Sequence, residues 1–348
     1  MTGYLIFLFL LLGCGLLKDR CRQLQLLFII IALFSGLRYG IGYDYFSYLE
    51  GCLPDSKKME GWEPIPYIIA LISSHTIPFF FFLVTSLFIS FFYYKGLNNS
   101  DGNHLMEVFF YISFPFLFMN QLGIVRQGMA SAIVFYAMTM PPSAFFKRIL
   151  LLLGAFLCHY SAIIAIFILI PWHKISHKLL WVMFFFSFLG GFLLLSLVEI
   201  IANSGLLGDN ATQKAESYLG EESFGEGNLI RYLIYFVTVF VLANYSKIVK
   251  MNRSYTYLIG CLVFGASLFA IFSFNISLAK RFCMFFFSSS IILIPQLIRR
   301  LKIPNPVFYV ACILLFALTI YVGSGNIREE DDPGCSVTYP YRTIFDLL

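Results

Sequence analysis

The chain has 348 residues, of which 59% are hydrophobic and 19% aromatic, while only 12% are charged. A soluble domain uses about a quarter of its residues for Asp, Glu, Lys and Arg, so this composition excludes an ordinary soluble protein and indicates an integral membrane protein. The formal charge of +5 is small. We interpret it as loop charge that sets orientation in the bilayer, and not as a surface for nucleic acid.

A spanning helix needs about 20 mostly apolar residues, because lipid offers no partner to an unpaired backbone group. Two apolar stretches fit this poorly: 63–77 is too short to cross and carries two prolines, and 149–171 is interrupted by His159 and Ser161. Better candidates for spanning helices are 3–17, 24–37, 78–94, 105–120, 122–140, 179–200, 229–246, 255–273, 282–298 and 306–323.

The distribution of basic residues predicts how these segments cross the bilayer. Loops rich in Lys and Arg are usually cytoplasmic, which places the acidic or mixed stretches 38–62, 203–228 and 327–348 outside. A single crossing by 63–77 would put Lys95 outside, and a single crossing by 149–171 would separate two basic clusters. Both conflicts disappear if 63–77 is re-entrant and 149–171 enters the bilayer and returns to the side from which it came.

We therefore predict an all-α polytopic membrane protein with about ten transmembrane helices and two re-entrant or broken elements. It would form a single transmembrane domain over 1–348, with outer loops at 38–62 and 203–228 and a polar outer tail at 327–348. Non-helical backbone at membrane depth is tolerated only where it is buried in protein or lines a water-filled cavity. The two broken elements are therefore expected to flank a cavity.

The first candidate site follows the second predicted helix and reads RYGIGYDYFSY over 38–48. Tyrosine faces stack on sugar rings and an aspartate accepts hydrogen bonds from hydroxyls, so the segment predicts a binding lip. An aromatic belt at the membrane interface with an anchoring arginine is the alternative. The candidate residues of this segment are Arg38, Tyr43, Asp44, Tyr45 and Tyr48.

Two further candidates lie in apolar surroundings. Glu63 precedes Pro64, an arrangement typical of a helix start, where a carboxylate favours the positive end of the helix dipole. Arg126 and Gln127 interrupt a helix rich in small residues. A bilayer-central Arg costs about 2.5–3.5 kcal/mol on insertion scales, so we expect Arg126 to face an aqueous cavity with an anionic partner; snorkelling to the interface is the alternative.

The remaining candidates are in the second half of the chain. His159, followed by Tyr160, interrupts 149–171, and its imidazole could act as a base or as a donor to a phosphate; a satisfied core histidine is the alternative. Lys280 and Arg281 are basic although they fall on the predicted outer side, which favours an anionic ligand. Tyr341 lies in the polar tail, which is either a solvated end or folds back over the entrance of the expected cavity.

Several cations and few acids on the predicted outer side describe an anion site, and a lipid-anchored pyrophosphate fits it. Arginines could stabilise the charge that builds on a pyrophosphate leaving group, and His159, Asp44 or Glu63 could deprotonate an attacking hydroxyl. No P-loop, GxGxxG or HExxH motif is present, so we predict neither a cofactor nor a metal site.

The motifs that follow one another here resemble those of the EpsG/Wzy family of polysaccharide polymerases. They are Arg-x-x-x-Gly-x-Asp-x-x-x-Tyr over 38–48, Glu63, Arg126–Gln127 with its alanines, His-Tyr-Ser-Ala over 159–162 and Lys280–Arg281. The resemblance implies that Arg126, His159 and Arg281 handle pyrophosphate or catalysis, and that Arg38 and Asp44 belong to the loop motif. It also implies a fold like the GT-C glycosyltransferases, but the large outer domain of many such enzymes is missing, so that only 203–228 could serve as a lid.

The activity implied by the resemblance is O-antigen or capsule polymerisation. A growing glycan on undecaprenyl pyrophosphate would move onto the next lipid-linked repeat unit at the periplasmic face of a bacterial inner membrane. The implied partners are the undecaprenyl-pyrophosphate-linked oligosaccharide and the lipid bilayer; a chain-length regulator stays open, and nucleic acid is not expected. Two alternatives also stay open, a flippase of lipid-linked sugars and an O-antigen ligase that uses the same carrier.

Overall fold

The computed structural model describes residues 2–54, 56–203, 226–325, 327–328 and 335–347, and these residues are mainly helical. Most of the predicted outer loop 203–228 lies outside them. In chain order the α-helices are α1 Thr2–Gly13, α2 Arg20–Gly36, α3 Tyr45–Gly51, α4 Pro64–Ser74, α5 Phe80–Asn98, α6 His104–Ser113, α7 Phe118–Gly123, α8 Val125–Thr139, α9 Phe145–Cys158, α10 His177–Asn203, α11 Glu226–Ala243, α12 Tyr245–Val249, α13 Tyr255–Ile271, α14 Ile276–Phe287, α15 Ser290–Arg300 and α16 Asn305–Ser324.

Short 3₁₀ helices and strands complete the described chain. The 3₁₀ helices are Cys14–Leu16, Lys58–Gly61, Pro142–Ala144, Tyr160–Leu169, Trp172–Lys174 and Ile344–Leu347. The strands are β1 Arg38–Tyr39, β2 Ile327–Arg328, β3 Cys335–Ser336 and β4 Arg342–Thr343. Strands β1 and β4 pair antiparallel, with Arg38 opposite Thr343, and β2 pairs antiparallel with β3.

The helices have the length and composition of a membrane protein. Three of those described, α5, α10 and α16, are long and apolar enough to cross a bilayer, and the bent pair formed by α14 and α15 qualifies as a fourth if it is counted as one span. Several shorter helices, such as α1, α4 and α13, are equally apolar. The chain is therefore an all-α membrane protein, and the number of ten crossings stays a prediction.

Two predicted helices are interrupted. The segment predicted as one helix over 105–120 ends at Ser113 and starts again at Phe118, because Pro115 forces the preceding Phe114 into extended backbone (φ −74°, ψ 122°). The segment predicted over 282–298 begins earlier, at Ile276, and breaks between α14 and α15. The Ser288 hydroxyl donates to the Phe285 carbonyl at 3.1 Å, so that side chains compete with the backbone ladder at this break.

The two stretches that fitted a spanning helix poorly are short or broken in the structure. Helix α4 has only 11 residues and begins at Pro64, as the sequence predicted for a helix start. Helix α9 ends at Cys158, His159 is extended (φ −163°, ψ 123°), and a 3₁₀ helix over Tyr160–Leu169 follows. The interruption at His159 is therefore present, and the return of each stretch to its starting side stays a prediction.

The described chain forms two compact units. The first contains residues 1–166 and 294–348, and the second contains residues 167–293. In the first unit α5 packs on both α2 and α8, and α8 packs on α9. In the second unit α13 packs on both α10 and α14.

The loop after α2 in the first unit is fixed by close backbone approaches. Gly42 has a φ of +110°, and a Cβ on this residue would lie 2.2 Å from the Leu122 carbonyl oxygen, so that only glycine fits here. The Gly42 N–H donates to the Val337 carbonyl at 3.0 Å, and the Ile344 N–H donates to the Leu37 carbonyl at 2.9 Å. The segment 335–347 thus straps the loop that leads into α3.

Candidate active site

The carboxylate of Glu63 is the centre of a polar cluster in the first unit. Its Oε2 accepts a hydrogen bond from Arg126 Nη1 at 2.6 Å, and its Oε1 accepts from His159 Nδ1 at 2.5 Å and from the Tyr160 N–H at 3.2 Å. The Glu63 side chain is 4% exposed, whereas those of Arg126 and His159 are 25% and 20% exposed. We call Glu63, Arg126 and His159 the Glu63 cluster. Its acidic side chain is buried, and its two basic side chains are partly exposed.

Each member of the cluster is placed by a helix end or a break. Glu63 is the residue before α4, and Pro64 at the first helical position fixes the direction in which the chain enters that helix. Arg126 lies in the first turn of α8, just after the break at Ile124. His159 lies at the break between α9 and the following 3₁₀ helix. The irregular backbone therefore supplies the site, as is common where functional groups are presented.

The charge state of Glu63 follows from its neighbours. Burial alone would raise the pKa of this carboxyl, but the hydrogen bond from His159 and the nearby charges of His159 and Arg126 outweigh burial and lower the pKa to about 2. Glu63 is therefore ionised at neutral pH. An ionised carboxylate only accepts hydrogen bonds, so that the hydrogen between Glu63 and His159 is carried by Nδ1.

The other ring nitrogen of His159 is left for chemistry. When the ring is neutral and Nδ1 carries the hydrogen, Nε2 presents a lone pair; Nε2 makes no hydrogen bond within the described residues. A base oriented by a third group in this way is the arrangement that activates hydroxyl nucleophiles in many enzymes. The geometry therefore suits His159 as a proton acceptor and Glu63 as the group that orients it.

Two aromatic rings hold the arginine of the cluster. The guanidinium carbon of Arg126 lies 5.4 Å from the centre of the Trp62 ring and 5.9 Å from that of the Tyr48 ring, within the range of cation–π attraction. A Cβ at Gly51 would come within 2.7 Å of the Trp62 ring, so a glycine in α3 makes room for it. Trp62 was not among the predicted site residues, although it lies next to Glu63 in the chain.

Buried polar atoms without partners mark the same region. Within the described part of the chain, Nε of Arg126 and Oγ of Ser161 are buried and make no hydrogen bond. A buried polar group without a partner costs about 1–3 kcal/mol, and such groups are usually explained by a role or by a bound species. An arginine edge that shares a carboxylate with a histidine is suited to an oxyanion.

The residues of the segment 38–48 divide between surface and core. Tyr43 is 53% exposed and Asp44 is exposed at the start of α3, whereas Tyr45 is fully buried and stacks on the Phe82 ring at 4.3 Å. Tyr48 is buried against the ring of Trp62 at 5.3 Å. Within the segment 38–48, Tyr48 therefore contacts Arg126 of the Glu63 cluster.

Arg38 is placed elsewhere. It is 1% exposed and donates from Nε to the Ile41 carbonyl at 3.0 Å, from Nη2 to the Leu122 carbonyl at 2.9 Å and from Nη1 to the Ser35 carbonyl. All three of its nitrogens are thus engaged by backbone oxygens. In this structure Arg38 holds the loop after α2 to the end of α7.

The other predicted residues of the first unit lie around the cluster or on the tail. Tyr160 is 50% exposed and Gln127 is buried at 2%. Tyr341 stacks on Phe34 at 4.3 Å and donates to the Phe34 carbonyl at 2.7 Å. The described part of the tail therefore folds back on α2, and Tyr160 is the predicted tyrosine that continues the exposed side of the Glu63 cluster.

The second unit carries its own basic residues. Lys280 is partly buried and Arg281 exposed in α14. Arg231 of α11 donates to the Ser273 carbonyl at 3.0 Å, and its buried Nε has no partner among the described residues. Arg231 was not among the predicted site residues; the signal that could have found it is a single arginine within the apolar run that begins at Leu229.

Comparison with known proteins agrees with the early resemblance. The search of curated proteins and the search of solved structures each give no significant match. The family model described as EpsG family matches residues 22–341, which is nearly the whole chain and includes every member of the Glu63 cluster. That family is polysaccharide polymerase-like, and this chain belongs to the EpsG family.

Proposed function

We propose that the chain is a polysaccharide polymerase that moves a growing glycan from undecaprenyl pyrophosphate onto the non-reducing-end hydroxyl of the next lipid-linked repeat unit. The observation that carries the proposal is the Glu63 cluster, in which one ionised carboxylate orients a histidine and an arginine that are both partly open. Membership of the EpsG family supports the same reaction class.

In this proposal His159 is the general base. Its Nε2 takes the proton of the attacking hydroxyl while that oxygen forms the new glycosidic bond with the anomeric carbon of the growing glycan. The bond between that carbon and the pyrophosphate oxygen breaks, and undecaprenyl pyrophosphate leaves with the bonding electrons. General base catalysis of this type contributes about 10²–10⁴-fold. Glu63 orients His159, and the exposed Asp44 is the second candidate for a base.

The cations would stabilise the leaving group. Arg126 presents a guanidinium edge whose Nε is buried without a partner among the described residues, and such an edge suits a pyrophosphate oxygen. Lys280 and Arg281 of the second unit are also proposed to bind pyrophosphate oxygens. Arg38, which is engaged by backbone carbonyls, is proposed to hold the loop. These charges would replace a metal ion in the reaction.

The acceptor sugar would be bound by exposed tyrosines. Tyr43 and Tyr160 are about half exposed, and tyrosine faces pack well against sugar rings. Tyr45, Tyr48, Gln127 and Tyr341 would support the site from the interior. We place the site at the periplasmic side of a bacterial inner membrane, in a protein of about ten crossings, with a chain-length regulator as a candidate partner.

Reconstitution tests the proposal directly. Purified protein in liposomes is given a synthetic lipid-linked repeat unit, and product length is read by gel electrophoresis and mass spectrometry. The wild type is expected to make long glycans, and Arg126→Ala and His159→Ala at least about 100-fold less product per minute. Arg253→Ala and His75→Ala are matched controls, since both residues are exposed.

Two outcomes would reject the polymerase. If the wild type moves the lipid-linked unit across the bilayer without lengthening it, the protein is a flippase. If glycan appears only when a lipid A core is offered as acceptor, the protein is a ligase. Full activity of both the Arg126 and His159 variants would leave the polymerase without the site proposed here.

A further inference from the structure

A groove of about 270 Å³ lies on the first unit between α2 and α5. None of the residues that line it belongs to the Glu63 cluster. Its walls are apolar over most of their length, with Phe28, Ile29 and Ala32 on α2 and Leu87 and Phe91 on α5. Ile29, Leu87 and Phe91 are each about half exposed, so the groove opens to the surroundings of the helices. Its volume and apolar lining suit part of a flexible hydrocarbon chain.

Two of the three polar side chains of this groove lie at one end, and the third, Ser90, is buried among the apolar positions. Gln25, in the second turn of α2, and Tyr94, near the end of α5, line that end together. Neither side chain makes a hydrogen bond within the part of the chain that the structure describes. An amide and a phenol in this position can both donate to a phosphate or an ester oxygen.

An exposed positive charge lies at the same end. The ammonium of Lys95 lies 5.5 Å from the centre of the Phe91 ring, which is a wall of the groove. Within the described residues Lys95 has no acidic partner. Arg22 at the start of α2 is different, since it pairs with Asp19 at 3.3 Å. Arg20 donates to the Gly102 carbonyl at 2.5 Å. Lys95 is therefore a cation beside the groove that can meet an anionic head group.

We propose that this groove is a binding site for an anionic diacyl phospholipid of the membrane leaflet at the Lys95 end. One acyl chain lies along the apolar walls, and the phosphate contacts Lys95, Gln25 and Tyr94. The order of polarity along the groove matches that of the lipid, with the charge at one end and hydrocarbon beyond it. The phospholipid ties α2 to α5, and the site is separate from the polymerase chemistry and does not depend on it.

Native mass spectrometry of the purified protein tests the site with phosphatidylglycerol and phosphatidylcholine of identical acyl chains. The wild type is expected to retain one phosphatidylglycerol in preference to phosphatidylcholine. A basic side chain near a membrane surface contributes about 1 kcal/mol, so Lys95→Gln should lower that preference roughly fivefold. Lys147→Gln is the matched control, because Lys147 is also exposed and lies in the first turn of α9, in the same unit.

Filling the groove tests the position of the acyl chain. Leu87→Trp and Ile29→Trp, one from each wall, should reduce retention of both lipids, whereas Leu314→Trp, which alters a 65% exposed leucine of α16, should not. Equal retention of the two lipids by the wild type would overturn the proposal. So would an unchanged preference in Lys95→Gln, unchanged retention in both groove variants, or displacement of the lipid by glycerol 3-phosphate alone, which would indicate a simple phosphate site.

Discussion

Glu63 and His159, 96 positions apart in the chain, are joined by a hydrogen bond of 2.5 Å between Oε1 and Nδ1. The same carboxylate accepts from Arg126 through its other oxygen. One buried acid thus fixes the ring of a histidine and the plane of an arginine at the same time. Both partly exposed groups of the cluster are therefore oriented by Glu63.

Replacing Glu63 by glutamine should separate orientation from charge. Glu63→Gln keeps the size of the side chain but removes the ionised acceptor, so that His159 loses its fixed tautomer and Arg126 its counter-charge. We expect glycan elongation to fall about 100-fold, the lower range for loss of a positioned base. Elongation rate is measured in reconstituted liposomes. Glu60→Gln, an exposed acid in the same loop, should elongate normally, and normal rates in both variants would contradict the role of Glu63.

The stability contribution of Glu63 should depend on pH in a defined direction. Its pKa in the folded chain is about 2, below the ordinary value of 4.5, so its stabilisation is fully present above about pH 4.5 and is lost as the pH falls toward 2. We expect the Tm difference between wild type and Glu63→Gln in detergent to shrink as the pH falls below 4.5. A difference that grows on acidification would contradict this assignment.

Arg38→Lys should affect stability more than any arginine-to-lysine change at the surface. Arg38 serves three backbone carbonyls from a fully buried position, and lysine cannot reproduce the planar fork. Each buried carbonyl left without a partner costs about 1–3 kcal/mol, so a loss of about 2 kcal/mol or more is expected from the denaturant midpoint. Arg253→Lys, at an exposed site, is the control. A normal midpoint with lost elongation would instead favour a direct role of Arg38 at the pyrophosphate.

Gly42→Ala should disturb the loop that Arg38 holds. The added methyl group would meet the Leu122 carbonyl oxygen at 2.2 Å in a backbone with φ of +110°, and such strain costs about 1–3 kcal/mol. We expect a lower Tm and reduced elongation. Gly61→Ala is a close control, since a Cβ there meets no described atom within 4 Å. Equal effects of the two substitutions would show that the loop tolerates a side chain at position 42.

Trp62→Leu should weaken the hold on Arg126. The indole supplies a face 5.4 Å from the guanidinium, and a cation–π contact contributes about 0.5–2 kcal/mol. We expect elongation to fall about tenfold, by conversion of that range, while Trp62→Phe retains most of the rate because an aromatic face remains. A leucine variant as active as the phenylalanine variant would exclude a role of the ring face.

Local features of this fold were predictable from the sequence. Pro64 marks the start of α4, and the polar His159 marks the end of α9, because proline and histidine act on the backbone or on solvation within a turn. The break after Ser113 was also encoded locally, in Pro115, but a long apolar run hid it. Hydropathy averages over such a run and does not register a single residue that removes a helical hydrogen bond.

The assembly of the site was not predictable in the same way. Glu63, Arg126 and His159 were each predicted as site residues. That one carboxylate binds both basic side chains could not be predicted from any local pattern, because it depends on how α4, α8 and α9 pack. Arg38 was predicted at an anion site and is held by backbone carbonyls in the structure. Charge in an apolar segment indicates that a partner exists, and the three-dimensional packing decides whether that partner is a carboxylate or a carbonyl.

The pairing of β1 with β4 has a consequence for biosynthesis. Tyr341 and Phe34, which are joined by a hydrogen bond next to these strands, are 307 positions apart. A ribosome adds roughly 5–20 residues per second, so α2 waits for many seconds in the membrane before the segment that straps its loop has been translated. During that interval the Arg38 loop lacks its strand partner, and its unpaired backbone groups are open to other partners.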